Sequence, residues 1–162
     1  MGHGTILAVT LHQPWAALVV VEALAPGAGK RDETRSWLTR HRGWLAIHAA
    51  QGGLSKRDLV ALCARPAIQT ALAHIGITHP DALPRGAVVA LARVRDCEPT
   101  EVRYPAPAPD DPNWSFGDYA PGRFAWGLDT ILALPTPIPA TGAQRLWRWT
   151  PPPEVAALLH AA

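Results

Sequence analysis

Short apolar segments of strand character dominate this sequence and limit the folds that the chain can adopt. β-branched and aliphatic residues fill "TILAVTL" (5–11), "GWLAIHA" (43–49) and "GAVVALARVRDC" (86–97). Runs of this length and composition are typical of strands in a largely buried sheet. Because they do not alternate regularly with long helices, the pattern favours a small β-barrel decorated by helices over a doubly wound sheet. The expected fold class is α+β, mainly β.

Further segments complete the predicted arrangement. Pro14 can begin a helix through "WAALVVVEAL", Ser55 can cap a second helix, and Pro66 can begin a third that stops at Gly76. Additional strands are predicted at residues 33–37, 123–135 and 145–150, followed by a closing helix in "PPPEVAALLHA". Residues 99–122 are rich in Pro, Asp and Gly, and a connection of this length in a compact domain is usually functional or disordered.

The length and composition are those of one ordinary domain. A chain of 162 residues, 48% of them hydrophobic, can bury a normal core, so residues 1–162 are predicted to form a single domain. No apolar stretch reaches the roughly 18 residues of a membrane span, and no secretory signal is recognisable. Cys63 and Cys97 match no metal-ligand spacing and are expected to be buried thiols. We therefore expect a cytoplasmic protein with no cofactor, no bound metal and no membrane partner.

A dense group of charges, "GKRDETRSW" (29–37), follows the first predicted helix. Five Lys or Arg residues lie within residues 30–42, although the formal net charge of the chain is only +2. Alternation along a strand would place Glu33, Arg35 and Trp37 on one surface. A carboxylate, a guanidinium and an indole are costly to bury together unless they bind a ligand or pair with one another. The alternative interpretation is a solvated charged loop.

Four stretches of the sequence carry a family resemblance. In chain order they are "LHQPWAALVV", "GKRDETRSW", "HRGWLAIHAA" and "GDYAPGRFAWGL", and they include the Lys, Glu and Arg of a K-x-x-E-x-R core. Together they resemble the ASCH domain, the homology domain of activating signal cointegrator 1, over nearly the whole chain. The resemblance implies a PUA-like β-barrel with a cleft between the barrel and the first helix.

The resemblance also implies that this cleft binds RNA or a modified nucleoside or nucleotide. Lysine and arginine can hold phosphate, an indole can stack on a base, and a carboxylate can accept hydrogen bonds from an exocyclic amine. Nothing in the sequence indicates which protein partners the chain has. The expected ligand-binding residues are Trp15, Lys30, Glu33, Arg35, Trp37, Arg40, Arg42, Tyr119 and Arg123.

Catalysis is an alternative that the sequence leaves open. Some small bacterial ASCH proteins are amidohydrolases acting on N4-acetylcytidine, and others are ribonucleases. In the amidohydrolases a threonine nucleophile lies three residues after the lysine, where this chain has Glu33. The neighbouring Thr34 is expected to face away from this site in the strand. A hydrolase would here use Glu33 as a general base on water and Lys30 to stabilise an oxyanion.

A purely structural role is the competing explanation for the same residues. Glu33 could form a buried ion pair with Lys30 or with Arg35 that ties the loop to the barrel. Such pairing is compatible with ligand binding, because a paired carboxylate or guanidinium retains further hydrogen-bonding positions.

Overall fold

A computed structural model describes residues 4–162, and these residues contain one six-stranded mixed sheet. The strands are β1 (Ile6–Leu11), β2 (Asp32–Arg35), β3 (Gly43–Ala49), β4 (Ala87–Pro99), β5 (Phe124–Pro139) and β6 (Leu146–Trp149). Their order across the sheet is β2-β5-β4-β3-β1-β6. β1 runs parallel to β3, and the other neighbouring strands are antiparallel.

Six helices accompany the sheet within residues 4–162. They are α1 (Trp15–Leu24), α2 (Lys56–Cys63), α3 (Pro66–Ala73), α4 (Thr100–Arg103), α5 (Pro112–Ser115) and α6 (Pro153–Ala161), with a short 3-10 turn at Pro80–Ala82. The predicted α+β class, mainly sheet, is therefore confirmed. β2 and β6 form the two edges of the sheet, and within the described part of the chain no pairing between them closes it into a barrel.

The central strands are buried on both faces, as their nearly continuous apolar runs predict. Val9 of β1 packs in a cluster with α1, whereas its neighbour Ala8 packs on the opposite face with Val155 of α6. A further cluster joins the outer side of α1 to α2 and α3, and Phe116 is buried within it. Helix α1 thus lies between the sheet and the other helices, which holds its first turn in a fixed position beside the end of β1.

The signals for the starts of α2 and α3 are confirmed, whereas α3 ends at Ala73 and not at the predicted Gly76. The Ser55 hydroxyl accepts a hydrogen bond from the Asp58 amide at the start of α2, and α3 begins at Pro66. The connection at residues 99–122, expected to be functional or disordered, contains the short helices α4 and α5. Asp111 caps α5 by accepting a hydrogen bond from the Asn113 amide.

Strand β2 is shorter than predicted, and this changes the position of Trp37. The strand ends at Arg35, which pairs with Phe124, the first residue of β5. Because β5 begins at that point, no strand is available to pair with Ser36 and Trp37. The surface shared by alternation therefore contains Glu33 and Arg35 but does not extend to Trp37.

Two further expectations concern burial and the membrane. Cys63 is buried, and burial raises the pKa of its thiol, whereas Cys97 is only partly buried, contrary to prediction. Within residues 4–162 no helix has both the length and the apolar character needed to cross a bilayer.

Candidate ligand-binding cleft

A cleft of about 400 Å³ lies where the end of β1, the first turn of α1, strand β2 and residues 116–123 meet. This volume lies within the range of small-molecule sites in proteins. Five of the residues singled out in the sequence line it together: Trp15, Lys30, Glu33, Arg35 and Arg123.

The end of α1 determines where Lys30 enters the cleft. The buried Glu22 carboxylate accepts hydrogen bonds from the amides of Gly27 and Gly29, at 2.7 and 3.3 Å. The Lys30 amide then donates to the Leu18 carbonyl at 3.0 Å, which holds the chain directly against the helix. Gly29 has to be glycine, because a Cβ there would overlap backbone atoms of Leu18 and Glu22. The loop is therefore fixed to α1 immediately before the lysine.

Lys30 is a buried cation at the base of the cleft. Its residue is only 2% exposed, and its Nζ donates to the Phe116 carbonyl at 2.9 Å. The Glu33 Oε1 lies 3.9 Å from the same nitrogen. Burial lowers the pKa of Lys30, and the neighbouring carboxylates of Glu33 and Asp32 oppose that shift. The ammonium therefore gives up a proton more readily than that of a solvated lysine.

Glu33 and Arg35 are paired side by side at the wall of the cleft. The Arg35 Nη2 lies 3.4 Å from Glu33 Oε2 and donates to the Thr10 carbonyl at 3.0 Å. Glu33 Oε1 accepts from the Thr34 amide at 2.9 Å. Both ion pairs that the structural explanation foresaw, Lys30–Glu33 and Glu33–Arg35, are thus present. All three side chains line the cleft, where Lys30 and Glu33 are buried and Arg35 is the more exposed partner.

The segment 117–123 forms the opposite side of the cleft. Arg123 donates through Nη2 to the Thr34 carbonyl at 3.3 Å, and its Nε lies 3.3 Å from Asp118 Oδ2. Thr34 also lines the cleft, whereas the sequence predicted that it would face away. Its Oγ1 accepts from the Asp118 amide at 3.0 Å, which fixes this segment to β2.

A buried polar network behind β2 holds the same segment in place. Asp32, 1% exposed, accepts hydrogen bonds from Arg103 at 2.9 Å and from Asn113 and Tyr119 at 2.8 Å each. Asn113 Oδ1 in turn accepts from the backbone amides of Arg31 and Asp32. Residues 103–119 are therefore anchored to the strand that carries Glu33 and Arg35.

Four of the predicted ligand-binding residues lie outside the cleft lining. Trp37 packs edge-on against Trp126, with ring centroids 4.8 Å apart. Tyr119 belongs to the network behind β2, where burial and the Asp32 carboxylate raise the pKa of its hydroxyl. Arg40 and Arg42 are exposed in the connection to β3, and Arg42 donates only to backbone carbonyls of that connection.

The cleft also contains groups that the sequence reasoning did not select. Thr10 and His12 contribute from the end of β1, and Phe116 contributes the carbonyl that binds Lys30. His12 lies within the stretch "LHQPWAALVV", two residues before Pro14, so the sequence could have identified it as a residue of the cleft. Phe116 could not be identified from the sequence, because it contributes a backbone carbonyl, which every residue type has.

Comparison with known proteins does not identify a family for this chain. No protein-family model matches this chain, and no curated protein matches it either.

Proposed function

We propose that this protein binds RNA or a modified nucleoside in the cleft that Lys30 and Arg35 line. The observation that carries the proposal is the meeting of three cations, Lys30, Arg35 and Arg123, with the Glu33 carboxylate and the Trp15 indole in one cavity. This set of groups matches the parts of a nucleotide, because cations bind phosphate, an indole stacks on a base and a carboxylate accepts from an exocyclic amine.

The proposal includes membership of the ASCH family within the PUA-like superfamily, and a cytoplasmic location. Support for the assignment comes from the motif residues, since Lys30, Glu33 and Arg35 of the K-x-x-E-x-R core lie in one cleft with Trp15 of the first helix. Within residues 4–162 the sheet is not closed into the barrel that the resemblance implies, because β2 and β6 do not pair with each other.

Binding of a short fluorescent RNA should depend on the cleft cations. We expect Arg35→Gln and Lys30→Met each to weaken binding by about tenfold, because a charge-assisted hydrogen bond is lost in each variant. The plot of log affinity against log salt concentration should become less steep by about one for Arg35→Gln if Arg35 contacts a phosphate. Fluorescence anisotropy at several salt concentrations measures both quantities.

The matched control for this experiment is Arg57→Gln. Arg57 is an exposed arginine on α2 that does not line the cleft, so the substitution removes the same charge from another surface. RNA affinity that stays the same in Arg35→Gln and Lys30→Met, or falls equally in Arg57→Gln, would contradict binding at the cleft.

Hydrolysis of an acylated nucleoside is a second candidate function, favoured by the position of Lys30 Nζ 3.9 Å from Glu33 Oε1 in the lining of the cleft. Glu33 would take a proton from water as the water oxygen attacks the acyl carbon, and the Lys30 ammonium would stabilise the oxyanion. Collapse of that intermediate breaks the bond to nitrogen. A proton passes to the leaving amine, so the products are a carboxylic acid and the free amine.

Turnover of N4-acetylcytidine tests this candidate directly. If the protein is a hydrolase, Glu33→Gln should lower kcat by at least about a hundredfold, because it removes the base while keeping the side-chain shape. Chromatography with mass spectrometry follows the formation of cytidine and acetate. Glu154→Gln, an exposed change on α6, is the control. Wild-type protein without turnover, or full activity in Glu33→Gln, would reject this mechanism and leave the binding function.

A further inference from the structure

A second cavity adjoins the cleft and shares part of its wall. It has a volume of about 740 Å³ and lies between the end of β1 and the loop that leads into β6. Thr10, His12 and Arg35 line both cavities. A ligand that fills the cleft therefore has a continuous path past Arg35 into the second cavity.

The charges of the second cavity have one sign. Arg35 and Arg145 line it, and none of its lining residues is an aspartate or a glutamate. Arg35 is paired with Glu33, but within residues 4–162 Arg145 forms no ion pair with a carboxylate. The uncompensated cation favours an anionic group.

Arg145 is held in an unusual position. Its φ of 61° lies in the left-handed region, which residues other than glycine rarely adopt. Its guanidinium carbon lies 4.3 Å from the centroid of the Trp37 ring, in the geometry of a cation–π contact. Trp37 lies outside the cleft, but its ring packs against Arg145 and so helps to hold that side chain at the second cavity. Backbone strain of this kind clusters at ligand-binding sites.

Both ring nitrogens of His48, which lines this cavity, already form hydrogen bonds within the protein. His48 is 2% exposed, its Nε2 lies 2.7 Å from the Ala140 carbonyl, and its Nδ1 lies 3.1 Å from the Thr10 hydroxyl. Because a carbonyl only accepts, Nε2 carries the proton in this arrangement and Nδ1 accepts from Thr10. The Thr10 oxygen also accepts from the Trp147 indole at 3.0 Å. Because Arg35 is paired with Glu33, the guanidinium of Arg145 is the charged group of the cavity that has no carboxylate partner within residues 4–162.

We propose that the second cavity is a phosphate site, in which Arg145 binds a phosphate group covalently linked to the nucleoside that occupies the cleft. This inference rests on the proposed function and narrows its ligand to a phosphorylated one, a nucleotide or an RNA strand. Guanidinium and phosphate form paired charge-assisted hydrogen bonds, and a Trp37-supported Arg145 loses little side-chain freedom on binding.

The test compares N4-acetylcytidine with its 5′-monophosphate, its 3′-monophosphate and a trinucleotide that carries it at the centre. We expect calorimetry to give an affinity for a monophosphate about tenfold higher than for the nucleoside, corresponding to one charge-assisted contact. Arg145→Gln should abolish this difference and leave the affinity for the nucleoside unchanged. Arg145→Lys, which keeps the charge, should retain part of the difference, and Arg57→Gln should retain all of it.

A measurement on the unaltered protein makes the test independent of how the variants fold. Excess inorganic phosphate should weaken binding of the monophosphate and leave binding of the nucleoside unchanged. A trinucleotide that binds at least as tightly as the monophosphates identifies an RNA strand as the source of the phosphate, whereas weaker binding identifies a free nucleotide.

Two results would overturn the phosphate site, and they can be told apart from failure of the proposed function. Equal affinity for nucleoside and monophosphates would remove the phosphate site and leave nucleoside binding in the cleft intact. An equal loss for both ligands in Arg145→Gln would show that Arg145 acts on the fold alone. Absence of binding by all four probes would reject the site and the nucleoside ligand together.

Discussion

Replacing Gly29 with alanine is expected to lower the free energy of unfolding by about 3 kcal/mol, the upper part of the usual cost of overpacking. The new Cβ would lie 2.8 Å from the Glu22 Cα and closer still to the Leu18 carbonyl oxygen and the Glu22 amide nitrogen. These are backbone atoms of α1 and cannot rotate away, so the loop itself has to move. That movement breaks the hydrogen bond from the Lys30 amide to Leu18.

Urea denaturation measures the stability change, and the RNA-binding assay measures the consequence for the cleft. Displacing the loop moves Lys30 away from the Phe116 carbonyl, so RNA affinity should fall as well if the proposed function is correct. Gly52→Ala is the matched control, because a Cβ at Gly52 meets no heavy atom within 4 Å. A Gly29→Ala protein as stable as Gly52→Ala would show that the close approach of loop and helix is not required.

Asp32→Ala is expected to cost about 3–5 kcal/mol of unfolding free energy, the range for removing one partner of a buried ion pair. The carboxylate accepts hydrogen bonds from Arg103, Asn113 and Tyr119, and the substitution leaves all three donors without this acceptor. Arg103 keeps contacts with Asp96 and Glu98, which places the expected loss at the lower end of that range.

Thermal and urea denaturation of Asp32→Ala beside Asp110→Ala provide the comparison. Asp110 is an exposed carboxylate in the Pro-rich connection at residues 99–122, so its removal should change stability by less than about 0.5 kcal/mol. If Asp32→Ala were equally mild, the network behind β2 would not be what anchors residues 103–119. In that event the position of Phe116 over Lys30 would need another explanation.

These two substitutions act on opposite sides of the same short segment. Gly29 fixes the entry of the chain from α1, and Asp32 fixes β2 to the segment that carries Phe116 and Asp118. Lys30 lies between these anchors, and Glu33 directly follows the second one. The cleft is therefore held by contacts outside its own surface, as is usual for sites that need precise side-chain placement.

Several elements could be predicted because their signals are local. Ser55 and Pro66 identify helix starts through the hydrogen bonds and φ values they favour. The alternation in "LARVRDC" is a local signal of the same kind, and in the structure Val94 is buried while Arg93 and Arg95 are exposed. The end of β2 could not be predicted in this way, because a strand ends where its partner ends, and the start of β5 at Phe124 lies almost ninety residues away along the chain.

The residues of the cleft also divide into those with a local sequence signal and those placed by tertiary contacts. Strand alternation placed Glu33 and Arg35 on one surface, and the resemblance to the K-x-x-E-x-R core added Lys30 to the same expected site. Trp37 was expected at the cleft from the same alternation and Tyr119 from the resemblance carried by "GDYAPGRFAWGL", but contacts with Trp126 and Asp32 place them elsewhere. Arg145 had no local signal, since its role depends on a ring more than one hundred positions earlier in the chain.

By itself the sequence determined the α+β class, the helix starts and the concentration of charge around Lys30, because each depends on neighbours within a few residues. The tertiary structure alone decided that Phe116 caps Lys30, that Asp32 binds Arg103, and that Arg145 rests on Trp37. Those pairs join residues far apart in the chain, and they form only after burial has excluded water and made an unpaired polar group costly.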